Sequence, residues 1–332
     1  MLLDPDRNLA LELVRATEAA AISSARYVGR GDKMQVDQAA VDAMRPVLGS
    51  VGMRGVVVIG EGEKDEAPML FNGEQVGNGS EPAVDIAVDP VDGTTAAAKG
   101  LPDAVAVVGL SERGTMFDPG PCVYMHKLVV PAAAADSVDP AAPVPEILAA
   151  VARALGKQPG ELTVAVLDRP RHVDLVAEIR AAGVLIKFLL DGDVAGAIAV
   201  GQPGSGVDVL MGVGGTPEAV IAAGALRCSG GAMFGRLCPR NEGERTAAVK
   251  FGHDLDRVLT TTDLVSGANV FFAATGVTDG APLRGVRFEH DRVTTQSLSM
   301  RSRSGAVRVI ETRHDRARSN LITPWASWPA GI

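Results

Sequence analysis

The residues best suited to chemistry lie in one short string, Asp89-Pro90-Val91-Asp92-Gly93-Thr94. Two carboxylates flank a proline, which fixes the backbone between them. The glycine lets the chain approach a ligand closely. The threonine hydroxyl is placed to cap an Ala-rich helix expected over residues 95–99. A helix N-terminus carries unpaired N–H groups and partial positive charge, which suit phosphate. One segment can therefore supply metal ligands, a hydroxyl and an anion-binding helix end. The same residues also suit a plain acidic turn, because Asp, Pro and Gly are turn formers. The neighbouring acids shift the balance. Glu61 and Glu63 stand in a G-E-G-E turn, and Asp37 stands at the start of a helix expected over residues 37–48. Acids that end separate elements are a common way to hold hard divalent cations. Asp37, Glu61, Asp89 and Asp92 together read as a Mg²⁺ or Mn²⁺ site. Histidine and cysteine, the softer ligands of zinc, are absent from these turns.

The elements that must position these acids follow from periodicity. Apolar spacing predicts a helix over residues 8–28. Short apolar runs predict strands over 55–59 and 83–88, and both end in the acidic turns. Further strands are expected over 104–110 and 124–130. Residues 131–145, rich in Ala and Pro, read as a linker or surface loop. Beyond it, helix and strand patterns alternate: helix 147–155, strand 162–168, helix 172–183, strand 184–191, strand 207–213 and helix 217–228. Residues 194–200 suit either a helix or a buried strand. This alternation argues for an α/β second half. Residues 269–277, 286–302 and 306–314 read as strands, the last two antiparallel.

Composition narrows the function classes. A chain of 332 residues is one large domain or two ordinary ones. Aromatics make up only 4%, so Ala, Val, Ile and Leu must build the core. The net charge of −8 disfavours nucleic acid and anionic membranes as partners, and suits cation binding. An anionic substrate then needs local compensation. Cys122, Cys228 and Cys238 are odd in number and widely spaced, which argues against a disulfide framework and for a reducing cytoplasm. The first residues carry early acids and lack the pattern of a signal peptide. No apolar run approaches the roughly 18 residues of a membrane span.

Longer strings make the chain recognisable. Gly29-Arg30-Gly31-Asp32-Lys33 is followed by Asp37, then by the block over 58–69 with its G-E-G-E-K-D-E-A-P-M string, then by the block over 84–94. Later come Tyr124-Met125, Arg169-Pro170-Arg171-His172, Asp191-Gly192-Asp193, Gly212-Val213-Gly214-Gly215-Thr216-Pro217-Glu218 and the block over 272–276. In type and order this resembles the class II fructose-1,6-bisphosphatases, the GlpX type. The D-P-x-D/E-G-T motif alone is shared with inositol monophosphatases. The resemblance implies an α/β and α+β chain folded as a two-domain layered αβαβα sandwich of the sugar phosphatase type. Residues 1–145 would carry most metal ligands and residues 146–332 the substrate-binding residues. The final strands would return to the first domain, with the site in the cleft between.

The resemblance also implies roles. Asp37, Glu61, Asp89, Asp92 and Glu218 would bind Mg²⁺ or Mn²⁺. Thr94, Asp92 and Glu63 would be catalytic, with Thr94 positioning or activating the attacking water. Asp92, Gly93, Thr94, Tyr124, Arg169, Pro170, Arg171, Asp191, Gly192, Asp193 and Gly215 would hold the substrate. Elementary chemistry agrees with this division of labour. Phosphoryl transfer needs charge neutralisation and alignment. Arginines fork onto phosphate, and a hydroxyl can relay a proton from water to a carboxylate. Singly, an R-P-R, a D-G-D or a G-V-G-G is a turn. Their joint occurrence in order is what carries weight. Where many relatives have Glu, this chain has Asp92. The helix start Thr95-Ala96-Ala97-Ala98 is plain, and the stretch 239–250 is short.

The expected reaction is hydrolysis of the 1-phosphate of fructose 1,6-bisphosphate to fructose 6-phosphate in gluconeogenesis. It would be carried out in the cytoplasm by a homo-oligomer, dimer or tetramer, with no nucleic-acid or membrane partner. Sedoheptulose 1,7-bisphosphate is the nearest alternative substrate. An inositol phosphatase is more distant, because neither Trp325 nor Trp328 precedes an aspartate as in that group's W-D string. A non-catalytic sugar-phosphate sensor is opposed by the retained acids and Thr94.

Overall fold

The computed structural model describes residues 7–62 and 69–316. In chain order the first elements are α1 (Ala10–Ala25), α2 (Lys33–Ser50), β1 (Arg54–Ile59), β2 (Gln75–Val76), β3 (Ala83–Asp92), α3 (Thr94–Ala98), β4 (Val105–Glu112) and β5 (Tyr124–Val130). There follow α4 (Val144–Leu155), β6 (Thr163–Leu167), α5 (Val173–Ala181), β7 (Leu185–Leu189), α6 (Val194–Val200), β8 (Val209–Gly215) and α7 (Thr216–Ser229). The last are β9 (Ala232–Leu237), α8 (Glu242–Phe251), β10 (Leu259–Thr260), α9 (Thr261–Leu264), β11 (Phe271–Gly276), β12 (Arg287–Phe288), β13 (Arg292–Arg301) and β14 (Ala306–Asp315).

The strands form two sheets. One has eight strands in the order β12-β13-β11-β4-β3-β1-β2, with β14 on β13; the other has six, β10-β9-β5-β8-β6-β7. Strand alternation sorts side chains between layers. In β3 and β4, Ile86, Val88, Ala106 and Val108 pack with α1 and α2. Ala87, Val105 and Val107 face the other way, into a core shared with α6, α7 and the inner side of the second sheet. The outer side of that sheet packs on α4 and α5. The result is a five-layer αβαβα sandwich. Helix α7, at its centre, must be apolar all round. Its run Ala219-Val220-Ile221-Ala222-Ala223-Gly224-Ala225-Leu226 is wholly buried, and its small side chains let both sheets close on it.

Several boundaries differ from expectation for local reasons. Helix α2 starts at Lys33, because the Asp32 carboxylate caps it by accepting from the Gln35 N–H at 3.1 Å. Asp37 therefore sits in the second turn and does not open the helix. Strand β3 runs on through Pro90 to Asp92, with a register irregularity between Asp89 and Asp92 against β4. The motif is thus a bulged strand end and not a free turn. Residues 131–143 join β5 to α4 within the layers of the second sheet, and Ala134 and Val138 are buried there. They are not an interdomain linker. Sheet membership also departs from a division at residue 145, since β5 already belongs to the second sheet. Strands β11 to β14 lie in the first sheet, where β11 pairs with β4. Residues 194–200 are helical. Glu63 and residues 317–332 lie outside the described residues.

Candidate active site

Four elements and a loop deliver acids to one cavity of about 280 Å³. Asp37 comes from α2, and Glu61 follows β1. Asp89 and Asp92 end β3, and Glu218 is in the first turn of α7. Asp191 and Gly192 come from the loop between β7 and α6. Gly93 and Thr94 complete the wall. The two strand ends are parallel neighbours in the first sheet, paired from Arg54↔Ala83 to Ile59↔Ala87. That pairing sets Glu61 beside Asp89, although the sequence separates them widely.

The cavity is strongly acidic, and its acids repel one another. Burial, then Asp37, then Glu218 push the Glu61 carboxyl up to about 8. Asp89 is raised well above the ordinary range by burial, then by Asp92 and Glu61. Asp92 is raised by burial, then by Asp193 and Glu218. Burial raises Glu218 and Asp37 as well. Among the described residues the Oε2 of Glu218 is buried and has no hydrogen-bond partner. By contrast, Asp85 on β3 is fully provided for. It accepts from the N–H groups of Gly114 at 2.7 Å and Thr115 at 3.0 Å and pairs with Arg113 at 3.2 Å. Among the described residues no three acids, histidines or cysteines are drawn into a ready coordination set. The all-oxygen donors, their mutual repulsion and the orphaned Glu218 oxygen nevertheless suit a hard divalent cation.

Hydrogen bonds fix most of these groups and correct some expectations. The Thr94 hydroxyl does not cap a helix. It donates to the Val91 carbonyl at 2.9 Å, and it also faces Asp37. The helix begins at Thr94 itself, with Gly93 as its N-cap in the left-handed region. The Thr95 N–H is taken by Asp191 Oδ2 at 2.9 Å, so this short helix end is occupied by a carboxylate from the second half of the chain. Asp191 also accepts from Arg169 at 2.9 Å. Asp89 accepts from the Val91 N–H at 3.0 Å. Asp92 Oδ2 accepts from the N–H groups of Val194 at 3.1 Å and Ala195 at 3.4 Å, so it ties the end of β3 to the start of α6.

The remaining expected substrate residues surround this cavity without lining it. Arg171 donates to the Val213 carbonyl at 3.1 and 2.8 Å and stacks over the Tyr124 ring at 5.1 Å. Pro170 is exposed. Gly215 caps α7, under the Glu218 carboxylate. Asp193 is buried and paired with Lys127. Lys127 escaped the sequence reading, and it lowers the proton affinity of both Glu218 and Asp92. The signal was present: Lys127 lies between Met125 and Val129 on the inward face of β5, where a charge needs a partner. Arg240, also unforeseen, lies over the other expected phosphate partner, the Tyr124 ring, at 6.0 Å.

Carboxylates at strand ends, a hydroxyl among them and Arg169 on Asp191 at the mouth suit a metal-dependent phosphate-ester hydrolase. Comparison with known sequences sharpens this. The profile of the bacterial fructose-1,6-bisphosphatases encoded by glpX matches residues 7–314. A "D-fructose 1,6-bisphosphatase class 2/sedoheptulose 1,7-bisphosphatase" of Synechococcus sp. (strain JA-2-3B'a(2-13)) is 42% identical over 334 residues, covering 93% of this chain and 96% of the relative. One of the same name from Synechococcus sp. (strain RCC307) is 43% identical over 323 residues, with the same coverage. The chain belongs to this family of bacterial fructose-1,6-bisphosphatases and is a phosphatase. A solved structure, an extragenic suppressor from Pyrococcus furiosus, overlaps 58% of this chain and 69% of its own at 14% identity, with a TM-score of 0.30. That likeness is too loose to bear on the fold.

Proposed function

We propose that the chain hydrolyses the 1-phosphate of fructose 1,6-bisphosphate in the acidic cavity, with Mg²⁺ or Mn²⁺ held by Asp37, Glu61, Asp89, Asp92 and Glu218. The observation that carries this reading is the convergence of these five acids and Thr94 on one cavity, with the Glu218 oxygen unpartnered among the described residues. When bound, the cation would neutralise phosphate charge and acidify a water. Thr94 Oγ1, beside Asp37, would take the proton of the attacking water and hand its own to the Asp37 carboxylate. Asp37 is the carboxylate that the Thr94 hydroxyl faces, which makes it the acceptor of that proton. Asp92 holds the strand end against α6, and Asp191 with Arg169 fixes the mouth of the cavity. Tyr124 and Arg171 offer a hydroxyl and a cation to the phosphate that does not react. A cytoplasmic homo-oligomer is the setting this reading takes; among the described residues no helix is long and apolar enough to cross a membrane.

Sedoheptulose 1,7-bisphosphate is the second reading, favoured by relatives named for both activities. The test is phosphate release from fructose 1,6-bisphosphate, sedoheptulose 1,7-bisphosphate and inositol 1-phosphate, with and without Mg²⁺ or Mn²⁺, beside Thr94→Ala. Cation-dependent release from the fructose substrate, lost in the variant, is expected. Silence on that substrate from folded, cation-loaded protein would overturn the reading.

A further inference from the structure

Among the described residues, two that are not glycine have a left-handed backbone, Asp103 with φ +72° and Leu70 with φ +54°. Aspartate enters that region with the help of its short polar side chain, whereas leucine has no such help. Strain of this kind gathers at functional sites and persists only where surrounding contacts hold it. Leu70 does not line the acidic cavity, but it touches the turn that does.

Both backbone groups of Leu70 are tied. Its N–H donates to Glu74 Oε2, and its carbonyl accepts from the Glu61 N–H at 3.0 Å. An added Cβ at Gly60 would collide with that carbonyl, so it lies directly against the end of β1. The Leu70 side chain is fully buried. Glu74 is itself anchored. Its carbonyl accepts from the Val57 N–H of β1 at 2.9 Å, and its buried carboxylate takes Arg45 Nε on Oε1 at 2.6 Å. Arg45 stands on α2, the helix that carries Asp37. A charge-assisted bond from each side suits this carboxylate to hold a strained N–H.

Asp85 offers the contrast. It too is a buried carboxylate that accepts from backbone N–H groups and pairs with an arginine. The left-handed residue in its turn is Gly114, which bears no strain there. At Glu74 the same device holds a leucine, and the far end of the chain of bonds is Glu61.

We propose that Glu74, backed by Arg45, is a positioning residue for the metal site. Through Leu70 it fixes the backbone of Glu61 and so the point from which the Glu61 carboxylate reaches the cation. Helix α2 then sets the place of Asp37 directly and that of Glu61 through Arg45, so one helix governs the spacing of two ligands. This inference rests on the reading of Glu61 as a metal ligand.

The test is Mn²⁺ titration calorimetry on the full chain without substrate, beside amide hydrogen exchange at Glu61. Glu74→Ala should weaken Mn²⁺ binding about tenfold, the scale of a lost outer partner of a ligand, and speed exchange at the Glu61 N–H. Arg45→Ala should move both in the same direction by less, and Arg45→Lys should recover part of the loss. These two variants change a half-exposed side chain, so the fold survives them. Asp85→Asn weakens an equivalent anchor elsewhere in the first sheet. It should lower the urea midpoint yet leave Mn²⁺ affinity and Glu61 exchange as in wild type. An equal loss of affinity in Asp85→Asn would overturn the proposal by making the effect one of general stability. Glu61→Gln separates the proposal from the reading beneath it. Unchanged Mn²⁺ binding in that variant would sink the metal reading and the positioning role together. Weakened binding there, beside wild-type binding in Glu74→Ala and Arg45→Ala, would overturn the positioning role alone.

Discussion

The Nζ of Lys127 lies 2.7 Å from both carboxylate oxygens of Asp193, and both side chains are almost wholly buried. The pair joins β5 to the start of α6 behind the acidic cavity, so it places one fixed cation beside Glu218 and Asp92. A buried pair is worth little against an apolar replacement, but breaking it strands a charge.

Lys127→Met should therefore cost about 3–5 kcal/mol of stability, because Asp193 is left buried without its partner. Asp193→Asn in the Lys127→Met background should recover much of that loss, since the stranded charge is gone. Urea unfolding of the two single variants and the double variant measures this. Additive losses would mean that the pair does not act as a unit.

The acidic cavity should make the metal-free protein sensitive to alkali. Glu61 binds its proton up to a pH of about 8 when folded, whereas its ordinary value is 4.5. Between those values the unfolded chain has released a proton that the folded chain still holds. The stabilisation is complete below the ordinary value and is lost as pH rises through the folded one. Urea midpoints in chelator should fall from pH 5.5 to pH 8.5, and saturating Mg²⁺ should flatten that fall. An equal slope with and without Mg²⁺ would show that the cation does not meet these carboxylates.

Much of this site was legible in the sequence because its acids end elements with clear apolar signals. The strand before Glu61 is an unbroken β-branched run, Val56 to Ile59, and the one before Asp89 is apolar apart from Asp85. What stayed hidden depends on contacts between distant segments. No local pattern says that Asp191 would occupy the Thr95 N–H, or that Asp92 would reach the start of α6. Strand β5 was expected, but its place in the second sheet depends on pairing with β8 and β9 far along the chain. Local signals also misplaced the start of α2, where Asp32 outcompeted Asp37 as a cap.

Gly192 should resist substitution for two separable reasons. Its φ is +68°, and an added Cβ would lie 2.6 Å from Asp92 Oδ2. Gly192→Ala should lose about 1–2 kcal/mol from the left-handed backbone alone and should also displace the Asp92 carboxylate. Gly183, with φ +75° and no atom within 4 Å of an added Cβ, isolates the backbone part. Both alanine variants should show similar backbone destabilisation in thermal melts, but only Gly192→Ala should lose phosphatase activity. Equal activity in the two would mean that Asp92 tolerates displacement.

Gly215 offers the most direct reading of Glu218. Its φ of −65° and ψ of 139° are open to any residue, so alanine brings no backbone strain there. An added Cβ, however, would stand 1.8 Å from Glu218 Oε2, closer than any contact allows. The flexible carboxylate must therefore swing away, which costs the metal-free fold little and relieves some repulsion among the acids. Gly215→Ala should keep its melting temperature in chelator. It should also need on the order of tenfold more Mg²⁺ for half-maximal phosphate release, the scale of a disturbed ligand position. Glu218→Gln should raise the requirement further, because it removes the charge as well as the placement. If Gly215→Ala and wild type show the same Mg²⁺ dependence, the unpartnered Glu218 oxygen does not face the cation, and the metal set must be drawn from Asp37, Glu61, Asp89 and Asp92 alone.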